Sequence, residues 1–242
     1  MADALFISDL HLSRERPAVT ALFLRFLEEQ GGSADNLYIL GDLFDAWIGD
    51  DDNTPPSSDV REALKATSSR GTAVHLMHGN RDFLIGDRFA VQAGCSLLPD
   101  PTLIHLHYEQ TLLMHGDLLC SDDLEYQQAR KFLRSSDFIN DFLSKSIEER
   151  IVLAAEYRKR SGEVISLKPA DIMDVNQQSV QQAMSEHRAT LLIHGHTHRP
   201  GSHHFALGGD EVRRIVLGDW SKEHGHYLRA GVDGLSSHLI TP

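Results

Sequence analysis

An α/β sheet protein is predicted for this 242-residue chain from three observations. Short apolar runs alternate with helix-patterned segments, five of those runs lead at once into clusters of aspartate, asparagine and histidine, and no stretch approaches the roughly 18 apolar residues of a membrane span. Hydrophobic residues make up 41% of the chain, and 23 Lys+Arg against 35 Asp+Glu leave a formal charge of −12. A chain of this length buries roughly 70% of its unfolded surface, so its core needs neither disulfide nor metal to persist. Cys95 and Cys120, far apart and outside any C-x-x-C pair, exclude a disulfide framework and a thiolate zinc site and suit a reducing compartment. An acidic chain without a basic stripe is a poor nonspecific nucleic-acid binder, so no nucleic-acid partner is expected.

Leu5-Phe6-Ile7 is expected as the first strand, because the residues around it carry neither the basic region nor the apolar length of a secretory signal. A helix is predicted over 18–30, a strand at Leu37-Tyr38-Ile39-Leu40 and a helix over 60–68. Asp50-Asp51-Asp52-Asn53 and Pro55-Pro56-Ser57-Ser58 form a polar, proline-bearing loop. Further strands are predicted at Val74-His75-Leu76-Met77, Leu112-Leu113-Met114, Leu191-Leu192-Ile193 and Arg214-Ile215-Val216-Leu217. The stretch 122–169 differs, being helix-patterned with no strand. Phe138/Phe142 and Leu143/Ile147/Ile151 repeat at helical spacing as an apolar stripe about four turns long. Nine basic and nine acidic residues make this stretch neutral, so it reads as a helical insertion into one domain spanning 1–242. Its stripe suits either packing on the sheet or covering a ligand.

The chemistry is expected where the strands end. Asp9-Leu10-His11, Gly41-Asp42, Gly79-Asn80-Arg81-Asp82, His115-Gly116-Asp117 and His194-Gly195-His196-Thr197-His198 each follow an apolar run, at the strand ends where α/β sheets place their sites. On an extended chain, side chains two apart share a side, so Asp9 and His11 are expected to converge on one ion. The adjoining glycines let backbone approach an ion or phosphate closely. Imidazole, carboxylate and amide donors without thiolate suit Mn, Fe or Zn, with Mn preferred.

Taken in order, Asp-x-His, Gly-Asp, Gly-Asn, His-Gly-Asp and Gly-His-x-His resemble the motifs of the calcineurin-like metallophosphoesterases, over residues 5–218. That resemblance implies a four-layer α/β/β/α sandwich of two mixed sheets. It also implies one metal held by Asp9, His11, Asp42 and His198, and a second held by Asp42, Asn80, His115 and His196. Two such ions roughly 3.5–4 Å apart generate hydroxide at neutral pH and stabilise both oxygens of an in-line phosphoryl transfer. Their charge also offsets the repulsion between an acidic chain and an anionic substrate. Asp82 and Asp117 are then either groups that orient the ligands or plain turn caps.

The family often has histidine after the motif asparagine, as a general acid for an alkoxide; here Arg81 stands there. Arginine keeps its proton but stabilises charge on phosphate oxygens, which suits a leaving group that is itself a phosphate. Pairing of Arg81 with Asp82 is the other reading. Gly79-Asn80-Arg81-Asp82-Phe83-Leu84, Gly41-Asp42-Leu43-Phe44-Asp45-Ala46-Trp47 and His194-Gly195-His196-Thr197-His198-Arg199-Pro200 closely resemble the bacterial UDP-2,3-diacylglucosamine hydrolases.

The resemblance to the hydrolases implies water attack on the UMP phosphorus, two Mn²⁺ ions, a lipid-linked nucleotide-sugar substrate and a cytoplasmic enzyme resting on the inner membrane. Catalytic roles would fall to Asp42, Asn80, Arg81, His115 and His196. Substrate contacts would come from Asn80, Arg81, Asp123, Tyr126, Ser161, Ile165, Lys168 and His196, with Ile165 apolar where a polar residue is expected. Ser161, Ile165 and Lys168, at i, i+4 and i+7, share a helix face. Phe138, Phe142 and Ile147 would line an acyl groove, and Arg158, Lys159 and Arg160 would meet anionic lipid. A monomer is expected. Competing readings are a hydrolase of another nucleoside diphosphate compound and an inactive scaffold. His75 and His105 are expected as sheet histidines and His107 likewise. His203, His204, His224 and His226 are expected at the surface.

Overall fold

A computed structural model describes residues 3–106, 109–166 and 174–242, with residues 160–166 described by backbone alone. In chain order the elements are β1 (Ala4–Ile7), α1 (Pro17–Glu29), β2 (Asn36–Leu40), α2 (Ser57–Ser69), β3 (Ala73–Met77), α3 (Asp87–Ala93), β4 (Cys95–Leu98), β5 (Thr102–Leu106) and β6 (Glu109–Met114). A 3-10 turn at Asp117–Leu119 then precedes α4 (Leu124–Leu133), α5 (Ser136–Leu143), α6 (Ile147–Ser166), α7 (Gln177–His187), β7 (Leu191–His194), β8 (Gly201–Leu207), β9 (Asp210–Val216), β10 (Gly225–Gly231) and β11 (Gly234–Ile240).

The strands form two mixed sheets, ordered β11-β10-β1-β2-β3-β4 and β5-β6-β7-β9-β8. Strand alternation sorts side chains between layers. From β1, Leu5 and Ile7 pack on α1, whereas Ala4 and Phe6 face the other sheet. Across the gap Leu113, Leu191 and Ile193 meet that face, while Leu112, Met114 and Leu192 turn outward onto Val180 and Met184 of α7. Helices therefore cover both outer faces, giving the expected four layers.

Local signals explain the helix limits. Pro17 opens α1 at a position where its missing N–H costs nothing, and Val19, Leu22, Phe23, Phe26 and Leu27 bury one face. At α7 the Asn176 side chain accepts from the amides of Gln178 and Ser179. The stripe predicted across 138–151 is not one helix. Ser146 and Glu149 form a capping box, in which the Ser146 amide donates to Glu149 Oε2 at 2.9 Å and the Glu149 amide donates to Ser146 Oγ at 3.3 Å. That cap ends continuity at 144–146, placing Leu143 in α5 and Ile147 in α6.

Candidate metal centre

Each candidate ligand cluster begins within three residues of a strand's carboxyl end: Asp9 after β1, Asp42 after β2, Asn80 after β3, His115 after β6 and His196 after β7. The first sheet thus presents Asp9, His11, Asp42 and Asn80, and the second presents His115, His196 and His198. Donor atoms of Asp9, His11 and His198 lie within 4.8 Å of one another, as do those of Asp9, Asp42 and His115. Asn80 Oδ1 stands 3.0 Å from both His115 Nε2 and His196 Nδ1. Asp42 lies between the two sets, with Oδ2 3.8 Å from His11 Nδ1 and Oδ1 3.9 Å from His115 Nε2.

The convergence of Asp9 and His11 has a different cause from the one expected. Neither residue is extended; their φ values are 57° and 50°. Asp42, His196 and His198 are also left-handed, so five of the six described non-glycine residues with positive φ are candidate ligands. Such conformations cost roughly 1–2 kcal/mol each and persist only where the surroundings impose them. Close approach is the other requirement: a Cβ on Gly79 would lie 2.1 Å from Asp42 Oδ1, and one on Gly41, itself at φ 89°, would lie 2.4 Å from His115 Nδ1.

Hydrogen bonds aim the donors. Asp9 Oδ2 accepts from Ser8 Oγ at 2.6 Å and from the His196 amide at 2.9 Å, while buried Oδ1 has no hydrogen-bond partner; buried His11 Nδ1 has none either. His115 Nδ1 donates to the Leu40 carbonyl at 2.9 Å, which turns the Nε2 lone pair into the centre. Burial pushes His11 down to about 3, and burial with the His115 charge pushes His196 to about 4, so both rings are neutral donors. Burial raises Asp42 to about 7, with the charges of Asp82 and Asp9 adding to it. Burial opposes protonation of His115, yet the Asp42, Asp117 and Asp9 charges lift it to about 9. Orphaned acceptors, neutral imidazoles and an uncompensated negative field together fit a cation.

The two neighbouring aspartates are more than turn caps. Asp82, fully buried, accepts from the amides of Gly79 at 2.8 Å, Leu43 at 2.7 Å, Asp42 at 3.3 Å and Phe44 at 3.4 Å, tying the β2 and β3 loops together. Its carboxylate is therefore engaged, and Arg81 has no ion pair among the described residues; it lines a cavity of about 380 Å³ with Asp45 and Arg158. Asp117 accepts from Tyr126 Oη and Arg130 Nε, both at 2.7 Å. Burial would raise its carboxyl, but the charges of His115, Arg130, His196 and Arg134 hold it well below the usual carboxylate range.

Of the expected substrate contacts, Tyr126 reaches the centre, its ring centroid 6.0 Å from that of His196. Asp123 caps α4, accepting from the Tyr126 amide at 3.0 Å. Ser161 and Ile165 fall within α6, and Lys168 lies outside the described residues, as does His107. Phe142 is buried rather than open to an acyl chain; Phe138 joins Phe132, Phe142 and Tyr157 in one aromatic cluster. Arg158 is paired with Asp45. His224 and His226 are half-buried, which corrects their expected place at the surface, while His203 and His204 are exposed in β8. His75 meets Asn36 Oδ1 at 3.1 Å in its sheet, and His105 is an exposed strand residue. Arg130 and Arg134 escaped sequence reasoning. Their spacing from Tyr126, i+4 and i+8 on one helix face, is the signal that shows them.

The model of the calcineurin-like phosphoesterase family matches residues 3–200, most of the chain and all of these ligands. The chain belongs to that family. Among the relatives of this phosphoesterase, a UDP-2,3-diacylglucosamine hydrolase from Serratia proteamaculans is 46% identical over 96% of this chain and 97% of its own. Proteins of the same description from Azotobacter vinelandii, 46% identical over 97% and 96% of the two chains, and Stenotrophomonas maltophilia, 47% identical over 96% of each, agree.

Proposed function

We propose that this phosphoesterase hydrolyses the pyrophosphate bond of UDP-2,3-diacylglucosamine within lipid A synthesis. Water adds to the UMP phosphorus, the bridging P–O bond breaks, and its electron pair leaves with 2,3-diacylglucosamine 1-phosphate. The relatives' shared description supports the substrate. The observation that carries the reaction is the convergence of seven donors beside Arg81, which has no ion pair among the described residues.

Two divalent cations, Mn²⁺ by preference, would be held by Asp9, His11, Asp42 and His198 and by Asp42, Asn80, His115 and His196, and would supply a nucleophile at neutral pH and charge neutralisation on phosphoryl oxygens. Arg81 places its fork where the departing phosphate gathers charge, so no proton donor is needed there. The Leu40 carbonyl keeps His115 in one tautomer. Asp117 holds Tyr126, and Arg134 donates to the Gly79 carbonyl at 2.8 Å, which fixes α4 over the Asn80–Arg81 loop.

We assign residues 122–169 as a helical lid on a single domain, working as a monomer at the cytoplasmic face of the inner membrane. No helix among the described residues is long and apolar enough to cross a membrane. Exposed Leu124, Phe132, Ile151 and Val152 on α4 and α6 support peripheral contact. Replacing Arg158, Lys159 and Arg160 together weakens co-sedimentation with anionic vesicles; unchanged sedimentation would remove the membrane assignment.

The reaction is tested by chelating the purified protein, restoring Mn²⁺ and following UDP-2,3-diacylglucosamine in detergent micelles by phosphorus NMR. UMP and the lipid monophosphate are expected with metal and absent without it. Cleavage of soluble nucleoside diphosphate compounds alone would overturn the lipid assignment.

A further inference from the structure

A pyrophosphate diester has two ends, and the first sheet provides a different surface for each. Arg81 follows β3 and lies toward α4 and α6. On the other side of β1 stands β10, antiparallel to it with Leu228 opposite Phe6, so the start of β10 reaches the carboxyl end of β1 beside Asp9. A groove of about 730 Å³ opens there, walled by Asp219, His224, His226, Ser237 and His238. Asp219 links it to the centre, its Oδ2 lying 3.8 Å from His198 Nδ1.

We propose that this groove receives the uridine half of the substrate, an inference that rests on the proposed hydrolysis of a UDP-linked lipid. Its volume lies in the range of small-ligand sites, about 300–1,000 Å³. None of its lining residues is Lys or Arg, so it has no fixed cation for a phosphate, and its walls mix serine, aspartate and histidine with apolar Pro200 and Leu239, as a nucleoside's polar edges and flat base require. A neutral polar group fits. Phe132 on α4 and Ile151 on α6 are exposed apolar side chains that would suit acyl chains on the Arg81 side.

The hydrogen-bond pattern specifies what the groove offers. His226 Nδ1 accepts from the Gly218 amide at 3.0 Å, so the proton of the neutral ring resides on Nε2. Burial, with the charge of His224, pushes this imidazole below its ordinary value, in keeping with a neutral ring. Nε2 then donates to Ser237 Oγ at 2.6 Å, which leaves the Ser237 hydroxyl proton free to donate into the groove. A uracil carbonyl accepts such a proton. Cytosine, with an amino donor in place of one carbonyl, does not at that edge. Asp219 accepts from ribose hydroxyls, as carboxylates do at nucleotide sites. Pro200 and Leu239, the latter 61% exposed, give the base apolar contact.

The test uses the full chain loaded with Mg²⁺, a diamagnetic ion, with UMP as probe. Imidazole ¹H–¹⁵N spectra of the unaltered protein are expected to show His224, His226 and His238 moving on titration. Ser237→Leu and His238→Ala are expected to weaken UMP binding by about tenfold or more, and CMP is expected to bind the unaltered protein more weakly than UMP, because a site built to donate loses an acceptor. UMP affinity indifferent to both substitutions, with the three imidazoles unmoved, would overturn the groove assignment even if UDP-2,3-diacylglucosamine is cleaved. UMP binding that follows Ser237 in a protein unable to cleave that lipid would retain the groove and overturn the substrate reading.

Discussion

At the residue scale the site depends on carboxylates that never touch the reaction. Asp82, fully buried, gathers four backbone amides from two loops, so truncating it leaves buried donors unpaired. Asp82→Ala is expected to lower stability by about 3 kcal/mol or more in urea denaturation. The loops it joins carry Asp42 and Asn80, so metal affinity in the surviving folded protein should fall roughly 10–100-fold. Retention of both would mean that the loops hold their shape alone. The left-handed ligands carry a related lesson. That Asp9, His11, Asp42, His196 and His198 are candidate ligands is legible from their order along the chain; that they reach the centre through positive φ is not, because aspartate and histidine, though commoner there than most residues, adopt that conformation only where the surrounding structure imposes it.

At the element scale, legibility followed unbroken apolar runs rather than burial alone, since β10, with four of its seven residues buried, was not visible. Strands β1, β2, β3, β6 and β7 are short apolar runs because both their faces are covered, and apolar runs are visible in sequence. Strands β8 and β11 were not visible, since most of their residues are exposed and their pairing is set by hairpins, one turning at Gly208–Gly209. The helical stretch was legible as helix but not as three helices, because Ser146 and Glu149 cap α6 inside an unbroken apolar spacing. What holds α6 down is equally local. Arg150, 3% exposed, donates to the Ile48 carbonyl at 2.7 Å and pairs with Asp51. Asp51 is half exposed, so the pair itself contributes modestly, and the buried carbonyl matters more. Arg150→Ala should therefore cost about 1–3 kcal/mol locally and speed limited proteolysis within 144–159 several-fold, with a smaller change in the global melting temperature. Equal protection in the variant would show that α6 is held by its apolar contacts instead.

At the scale of the whole molecule the candidate centre is a seam, with four donors from one sheet and three from the other, so a bound cation cross-links the two layers. Without it, two protons take part of its place. Asp42, raised to about 7 against 3.8 unfolded, favours folding only where it is protonated, so its contribution declines as pH rises from about 4 through 7. His115, raised to about 9 against 6.5, contributes stability that is full below 6.5 and lost as pH climbs through 9. Below about pH 6.5 the neutral, buried His11 and His196 oppose these trends, because their folding contribution grows as pH rises to 6.5, so chelated protein should lose stability chiefly between about pH 6.5 and 9, where His115 gives up its proton. Metal-loaded protein has exchanged those protons for cations and should be flatter over the same range, so the gap in melting temperature between loaded and chelated protein should widen with pH. Calorimetry in buffers of different ionisation enthalpy should then register protons released on metal binding at pH 7, His115 supplying most of them. A gap that stays constant with pH, or binding without proton release, would mean that His115 and Asp42 do not share the cation.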